Sequence, residues 1–134
     1  MKKAAGILVV HNDKCLLCKR NTEGSLPGEW SIPAGKVEPN ENILSAAQRE
    51  FFEETNLNID GQLYFIGVMK RYNREGIKPK GMLYVFKYIS DDLMVPDLSQ
   101  ALDGNEHTEC GYFGKNDLPL PMGEAFADLI KKNL

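Results

Sequence analysis

Between Asn40 and Thr55 the chain carries its one long helical pattern, and the charges within it work against a helix. Leu44, Ala47 and Phe51 recur at helical spacing and form an apolar arc suited to packing on a sheet. Glu50, Glu53 and Glu54, at i, i+3 and i+4, share the adjoining arc, which is about 100° wide at 3.6 residues per turn. The three carboxylates therefore crowd the margin of the buried face. They also fall in the last two turns, where the negative end of the helix dipole disfavours anions. Like charges at i, i+4 cost roughly 0.2–0.5 kcal/mol more. A solvated acidic face, partly neutralised by Arg49 four residues before Glu53, is the plain alternative. A divalent cation would reverse the sign of every one of these penalties, and three carboxylates suit a hard, oxygen-preferring ion such as Mg²⁺ or Mn²⁺.

The rest of the chain reads as strands around that helix. Ala4–Val10 is an apolar, β-rich run, His11–Lys14 a turn by its Asn-Asp content, and Cys15–Lys19 the answering strand of a hairpin. Residues 21–29, with two glycines and Pro27, read as a loop. Trp30–Ile32 is a short strand stopped by Pro33. Leu63–Met69 and Met82–Ile89 face each other across a basic connection, 90–105 is loop, and Glu109–Phe113 is a short strand. Gly123–Lys132 is a terminal helix with Phe126, Leu129 and Ile130 on one stripe. Strands mixed with two helices predict an α/β sandwich about a mixed sheet.

At 134 residues the chain suits one domain over 1–134. Its formal charge of −3 argues against general nucleic-acid binding. No apolar run approaches the roughly 18 residues of a membrane span, and no signal peptide is legible, so the expected location is the cytoplasm. Cys15, Cys18 and Cys110 are an odd count, for which reduced thiols are the default. Cys15 and Cys18 have the spacing of half a zinc site, but no second pair exists and strand alternation sends them to opposite faces. Small buried hydrophobes is the better reading. His11 and His107 have no partner at ligand spacing.

The segment Gly35–Leu57 resembles the Nudix hydrolase signature, Gly-x5-Glu-x7-Arg-Glu-U-x-Glu-Glu-x-Gly-U, with U a bulky aliphatic or aromatic residue. Gly35, Glu41, Arg49, Glu50, Phe51, Glu53, Glu54 and Leu57 fill eight of the nine fixed positions. Trp30 before Pro33-Ala34-Gly35, and Tyr112-Phe113 ahead of Asp117-Leu118-Pro119, extend the likeness beyond the box. The ninth position is Asn56 instead of glycine. Asn is the next best residue for the left-handed conformation that ends a helix, so the geometry should survive.

The resemblance implies an α/β fold, a Nudix-type α/β/α sandwich around a mixed β-sheet. It implies a Mg²⁺-dependent enzyme, with Mn²⁺ a second option, that hydrolyses the pyrophosphate bond of a small nucleotide or nucleoside diphosphate derivative. Nucleoside triphosphates, dinucleoside polyphosphates and ADP-ribose-like molecules stand as near equals. Metal ligands would be Glu50, Glu53 and Glu54 with the Gly35 carbonyl, where a missing Cβ lets the main chain approach. Arg49 and Glu41 would orient the cluster, and Asn56 would close the box. For the general base, Glu50 competes with a glutamate just ahead of Tyr112-Phe113, Glu106 or Glu109, with Glu106 preferred. Lys70, Arg71, Arg74, Lys78 and Lys80 form a basic arm that could grip polyphosphate or simply be a solvated hairpin. Arg20 is a further phosphate contact and Tyr72 a candidate to stack on a base. Among relatives dimers are common, so a homodimer is open; membranes and nucleic acid are not expected partners. The competing reading is a Nudix-fold sensor that binds a nucleotide or sugar nucleotide without cutting it; such proteins usually lose a metal glutamate, and none is missing here.

Overall fold

The computed structural model describes residues 2–21, 28–72, 79–100 and 107–134. Its first two strands, β1 (Lys2–His11) and β2 (Lys14–Arg20), meet through Asn12 and Asp13, whose φ angles of 49° and 65° are both left-handed. Asn and Asp tolerate that region, and a two-residue turn of this kind matches the twist of the strands it joins. Past the turn the two strands diverge: only Val10↔Cys15 and His11↔Lys14 pair. Two short strands fill the gap between them. β3 (Trp30–Ser31) pairs with β2, and β4 (Ala34–Lys36) pairs with the start of β1 through Ala4↔Lys36, Ala5↔Gly35 and Gly6↔Ala34. The sequence reading stopped the strand at Pro33 and missed β4, whose residues carry too little β-propensity to announce it.

The helix α1 (Ile43–Thr55) follows. Then β5 (Tyr64–Tyr72) and β6 (Pro79–Ile89) form an antiparallel pair, as expected, with β6 running parallel to β1 over Lys2–Val10. A 3₁₀ turn, Leu98–Gln100, interrupts the segment expected to be loop throughout. β7 (His107–Gly114) pairs with β2, and α2 (Glu124–Lys131) ends the chain. The sheet order β3-β2-β1-β6-β5, with β4 on β1 and β7 on β2, is mixed.

Alternation along β1 divides two cores. Ala5, Ile7 and Val9 face α1 and pack with Ala46, Ala47, Phe51 and Phe86, whereas Ala4, Leu8 and Val10 face α2 with Phe126 and Ile130. The result is the α/β/α sandwich. Each fully buried side chain such as Phe51, Ile7 or Ile130 contributes about 1.5–3 kcal/mol. No helix among the described residues is long and apolar enough to cross a membrane.

Two expectations are corrected. The helix begins at Ile43, since Asn42 is the capping residue, and its buried face is Ala46, Ala47, Glu50, Phe51, Glu54 and Thr55, while Leu44 is exposed. The packed face is rotated toward the glutamates, so Glu50 and Glu54 lie within it. The cysteines are also not all reduced: Cys18 and Cys110, directly opposite in the β2–β7 register, form a disulfide. Topology, with the two residues 92 apart in sequence, made that pair, so no local spacing could reveal it. Cys15 is free and fully buried, and burial pushes its thiol up to about 12.

Candidate active site

The loop before α1 is held by side chains that satisfy its backbone. The Asn42 Oδ1 accepts from the amides of Leu44 at 2.8 Å and Ser45 at 3.3 Å, which supplies two of the donors orphaned at a helix start. Glu41 Oε1 accepts from the Glu38 amide at 3.0 Å. Both Glu41 oxygens then receive Arg49, through Nε at 2.8 Å and Nη2 at 3.0 Å. This two-pronged pairing is the strong form of a carboxylate–guanidinium contact. The Arg49 bond, reinforced by the Glu38 amide, holds the Glu41 carboxyl down at about 2. In return the Glu41 bond raises the Arg49 pKa.

The same guanidinium reaches further. Its Nη1 donates to Glu50 Oε1 at 2.9 Å and Glu53 Oε2 at 3.2 Å, and its Nη2 donates to the Lys36 carbonyl at 2.9 Å. One arginine thus ties three carboxylates of the box to the strand that carries Gly35. Gly35 lies against the Glu50 carboxylate so closely that a Cβ built there would overlap it. That contact is the physical reason for a glycine at this position.

The third glutamate is enclosed. Glu54 is 1% exposed and approaches His107 of β7, itself 4% exposed, with Nδ1 and Oε1 3.4 Å apart. Burial first, and then the charge of Arg20, lower the His107 pKa to about 4, so the ring is neutral at physiological pH. Its Nε2 has no hydrogen-bond partner among the described residues. Sequence reasoning set His107 aside because its partner is distant in sequence; the fold alone joins them.

At the far end, Asn56 takes φ 60° and ψ 24°, the left-handed conformation expected of it, and its amide donates to the Phe52 carbonyl at 2.8 Å. The Thr55 hydroxyl donates to Phe51 O at 2.6 Å, and the Asp97 amide donates to Thr55 O at 2.9 Å. The bonds to the Phe52 and Thr55 carbonyls satisfy acceptors that a helix end leaves open.

Gly35, Glu41, Arg49, Glu50 and Glu53 are therefore linked by direct contacts, while Glu54 lies one turn on against His107 and Asn56 ends the helix. Among the described residues no three His, Cys, Asp or Glu side chains are arranged as a ready cation cage, and Arg49 stands among the acids. The donor set still fits a hard cation: carboxylate oxygens on one helix, and a backbone approach at Gly35 that no side chain blocks. Arg20 ends β2 opposite His107 and so borders the box. Glu109 does not join it. It is exposed on β7, on the face of Phe113, which packs with the α2 core, whereas Cys110 and Tyr112 pack beneath α1. Arg71 lies near the end of β5. Glu106 and Arg74 lie outside the described residues, as does the side chain of Tyr72.

The fold has close parallels. A MutT NUDIX hydrolase from Burkholderia pseudomallei superimposes with a TM-score of 0.82 at 22% identity, covering 99% of this chain and 98% of that one. The NUDIX domain of Shewanella oneidensis NrtR, complexed with ADP ribose, matches with a TM-score of 0.75 at 13% identity, over 98% and 84%. A nucleoside triphosphatase, NudI, of Salmonella arizonae is 46% identical over 48 residues, which is 34% of either chain. The match thus spans about a third of the length of that relative. The family model described as NUDIX domain matches residues 1–134, and the chain belongs to that family.

Proposed function

We propose that this protein hydrolyses the pyrophosphate bond of a small nucleotide with a divalent metal, Mg²⁺ or Mn²⁺. The observation that carries the reading is the packing of the Gly35 main chain on the Glu50 carboxylate, with Glu53 and Glu54 on the same helix. Glu50, Glu53, Glu54 and the Gly35 carbonyl would hold the cation. When bound, it would neutralise charge on the phosphates and lower the pKa of water.

The chain's own residues supply the rest. Arg49, pinned by Glu41, fixes the rotamers of Glu50 and Glu53, so little reorganisation is left for the moment of reaction. His107, with Nδ1 3.4 Å from Glu54 Oε1, packs against that carboxylate and limits where it can point. Glu50 is the base candidate seated in the box; Glu106 remains the alternative. Arg20 borders the same region and is a phosphate contact in this reading, and Arg71 and Arg74 would receive more distant phosphates.

The NudI relative is a nucleoside triphosphatase, which favours nucleoside triphosphates among the substrates considered. The NrtR domain, which was solved with ADP ribose, keeps ADP-ribose among the ligands to test, and the second reading is a sensor that binds without cutting. The complete set of three glutamates favours hydrolysis. The test is a panel of nucleoside triphosphates, dinucleoside polyphosphates and ADP-ribose with Mg²⁺, with products separated to identify the bond cut. Hydrolysis that needs both metal and Glu53 supports the proposal. Tight binding of intact nucleotide without turnover across the panel would replace it with the sensor.

A further inference from the structure

The Cys18–Cys110 disulfide joins β2 to β7 on the α1 face of the sheet, outside the set of residues proposed to act on the nucleotide. It sits at an uneven point of the ladder. On one side four pairs run without interruption from Leu17↔Gly111 to Lys14↔Gly114. That half of β7 is held further by Tyr112, whose hydroxyl donates to the Met94 carbonyl at 2.7 Å, and by Phe113, whose ring lies 5.1 Å from that of Trp30. On the other side only Lys19↔Glu109 follows before the register shifts, and Arg20↔His107 lies beyond the shift. A bulge of this kind disrupts the ladder locally. Among the described residues β7 pairs with β2 alone, so the disulfide is a covalent pin beside the weaker end of that strand. That end carries His107, whose Nδ1 lies 3.4 Å from Glu54 Oε1.

The two sulfurs differ in access. Cys18 is fully buried, with Ser31 of β3 paired along its other side, whereas Cys110 is half-buried on β7. Exposed disulfides are those that exchange with thiols, while enclosed ones resist. The third cysteine does not compete. Cys15 packs in the α2 core on the opposite face and its thiol stays protonated, so it supplies no thiolate to scramble the bond. Reduction leaves the partners together, because the four pairs beyond Cys110 keep the two thiols opposite each other.

We propose that Cys18–Cys110 is a reversible thiol–disulfide exchange site that clamps the His107 end of β7 over Glu54 and so tunes the cation affinity of the box; the last clause rests on the function proposed above. A thiolate of a dithiol reductant attacks the Cys110 sulfur, the S–S bond breaks, and its electron pair leaves on Cys18, which takes a proton. The reductant's second thiol then displaces Cys110, which is protonated in turn, and closes the reductant's own disulfide. Two electrons and two protons pass to the protein, and a disulfide oxidant reverses both steps. With the pin gone, His107 separates more readily from Glu54, and that carboxylate loses a neighbour that limits where it points.

Protein reduced with dithiothreitol, desalted, and then reoxidised with oxidised glutathione provides the test. The expected result is three thiols after reduction and one, Cys15, after reoxidation, counted by alkylation in denaturant. Reduction should speed hydrogen exchange at the amides of Thr108 to Cys110 at least about tenfold and at those of Tyr112 to Gly114 by less than about twofold. Mn²⁺ affinity should fall at least about threefold with it. The Cys18→Ala/Cys110→Ala variant should match the reduced parent in both buffers, with circular dichroism to check that it folds. A bond that resists both reagents in the folded protein, exchange that rises along all of β7 or nowhere, or equal Mn²⁺ affinities of the two states would overturn the proposal. Global unfolding on reduction would mark a structural staple and overturn it too. Failure of both states to bind Mn²⁺ would refute the cation reading, with the clamp still decided by hydrogen exchange.

Discussion

The two helices cover opposite faces of one sheet and bury different things. α2 buries Phe126 and Ile130, while α1 buries Glu50 and Glu54 beside Ala46, Ala47 and Phe51. A buried carboxylate costs free energy unless it is paired. Around α1, Arg49 bridges Glu41, Glu50 and Glu53, Glu50 lies against a glycine and Glu54 against His107, an arrangement that a helix serving only to close a core does not need. α2 is therefore the molecule's own control for what packing alone requires, and α1 departs from it where chemistry is expected.

The largest effect should separate the helices by activity. Glu53→Gln removes a proposed ligand and should lower metal-dependent turnover by about a thousandfold or more. The fold should persist, because Glu53 is only half-buried and the change relieves repulsion. Near-parental turnover would mean that the acids of α1 are not the working site. On the other face, Ile130→Ala should cost about 2–5 kcal/mol in denaturant melts, with the kcat of the folded fraction unchanged. A specific loss of kcat would show that α2 is not a purely structural control.

A smaller effect tests the pairing across the sheet. His107→Gln keeps a donor and should hold Mn²⁺ affinity within a few-fold, whereas His107→Leu should weaken it by about 10- to 100-fold. Equal affinities in the two variants would reduce His107 to packing. The smallest effect is the acid response of the Arg49 clamp. Glu41 has a folded pKa of about 2 against an ordinary 4.5, so folding favours its ionised form. Its contribution is complete above about pH 4.5 and is lost as pH falls toward 2. Acid unfolding of Glu41→Gln should lack that component, and a superimposable profile would show that the clamp adds nothing to stability.

Much of α1 was legible because its information is local. Three glutamates at i, i+3, i+4 and an Asn at the left-handed terminus are spacings that a helix turns directly into geometry, and Asn56 stands as expected. The terminal helix and the β1–β2 hairpin were readable for the same reason. What was missed is non-local. β4 exists because diverging strands leave room for it, and Glu54 meets His107 only once β7 lies along β2. Cys18 and Cys110 were likewise brought opposite each other by that pairing. The rotation of the α1 face, which buries Glu50 and exposes Leu44, was invisible because periodicity gives the width of a stripe but not the neighbour it meets.

The central claim is that α1 spends its buried face on a cation site, and Mn²⁺ binding followed by electron paramagnetic resonance addresses it most directly. Saturable binding to the parent protein, reduced at least about tenfold in Glu53→Gln and unchanged in Ile130→Ala, is the predicted result. Identical Mn²⁺ isotherms for the parent and Glu53→Gln would contradict it.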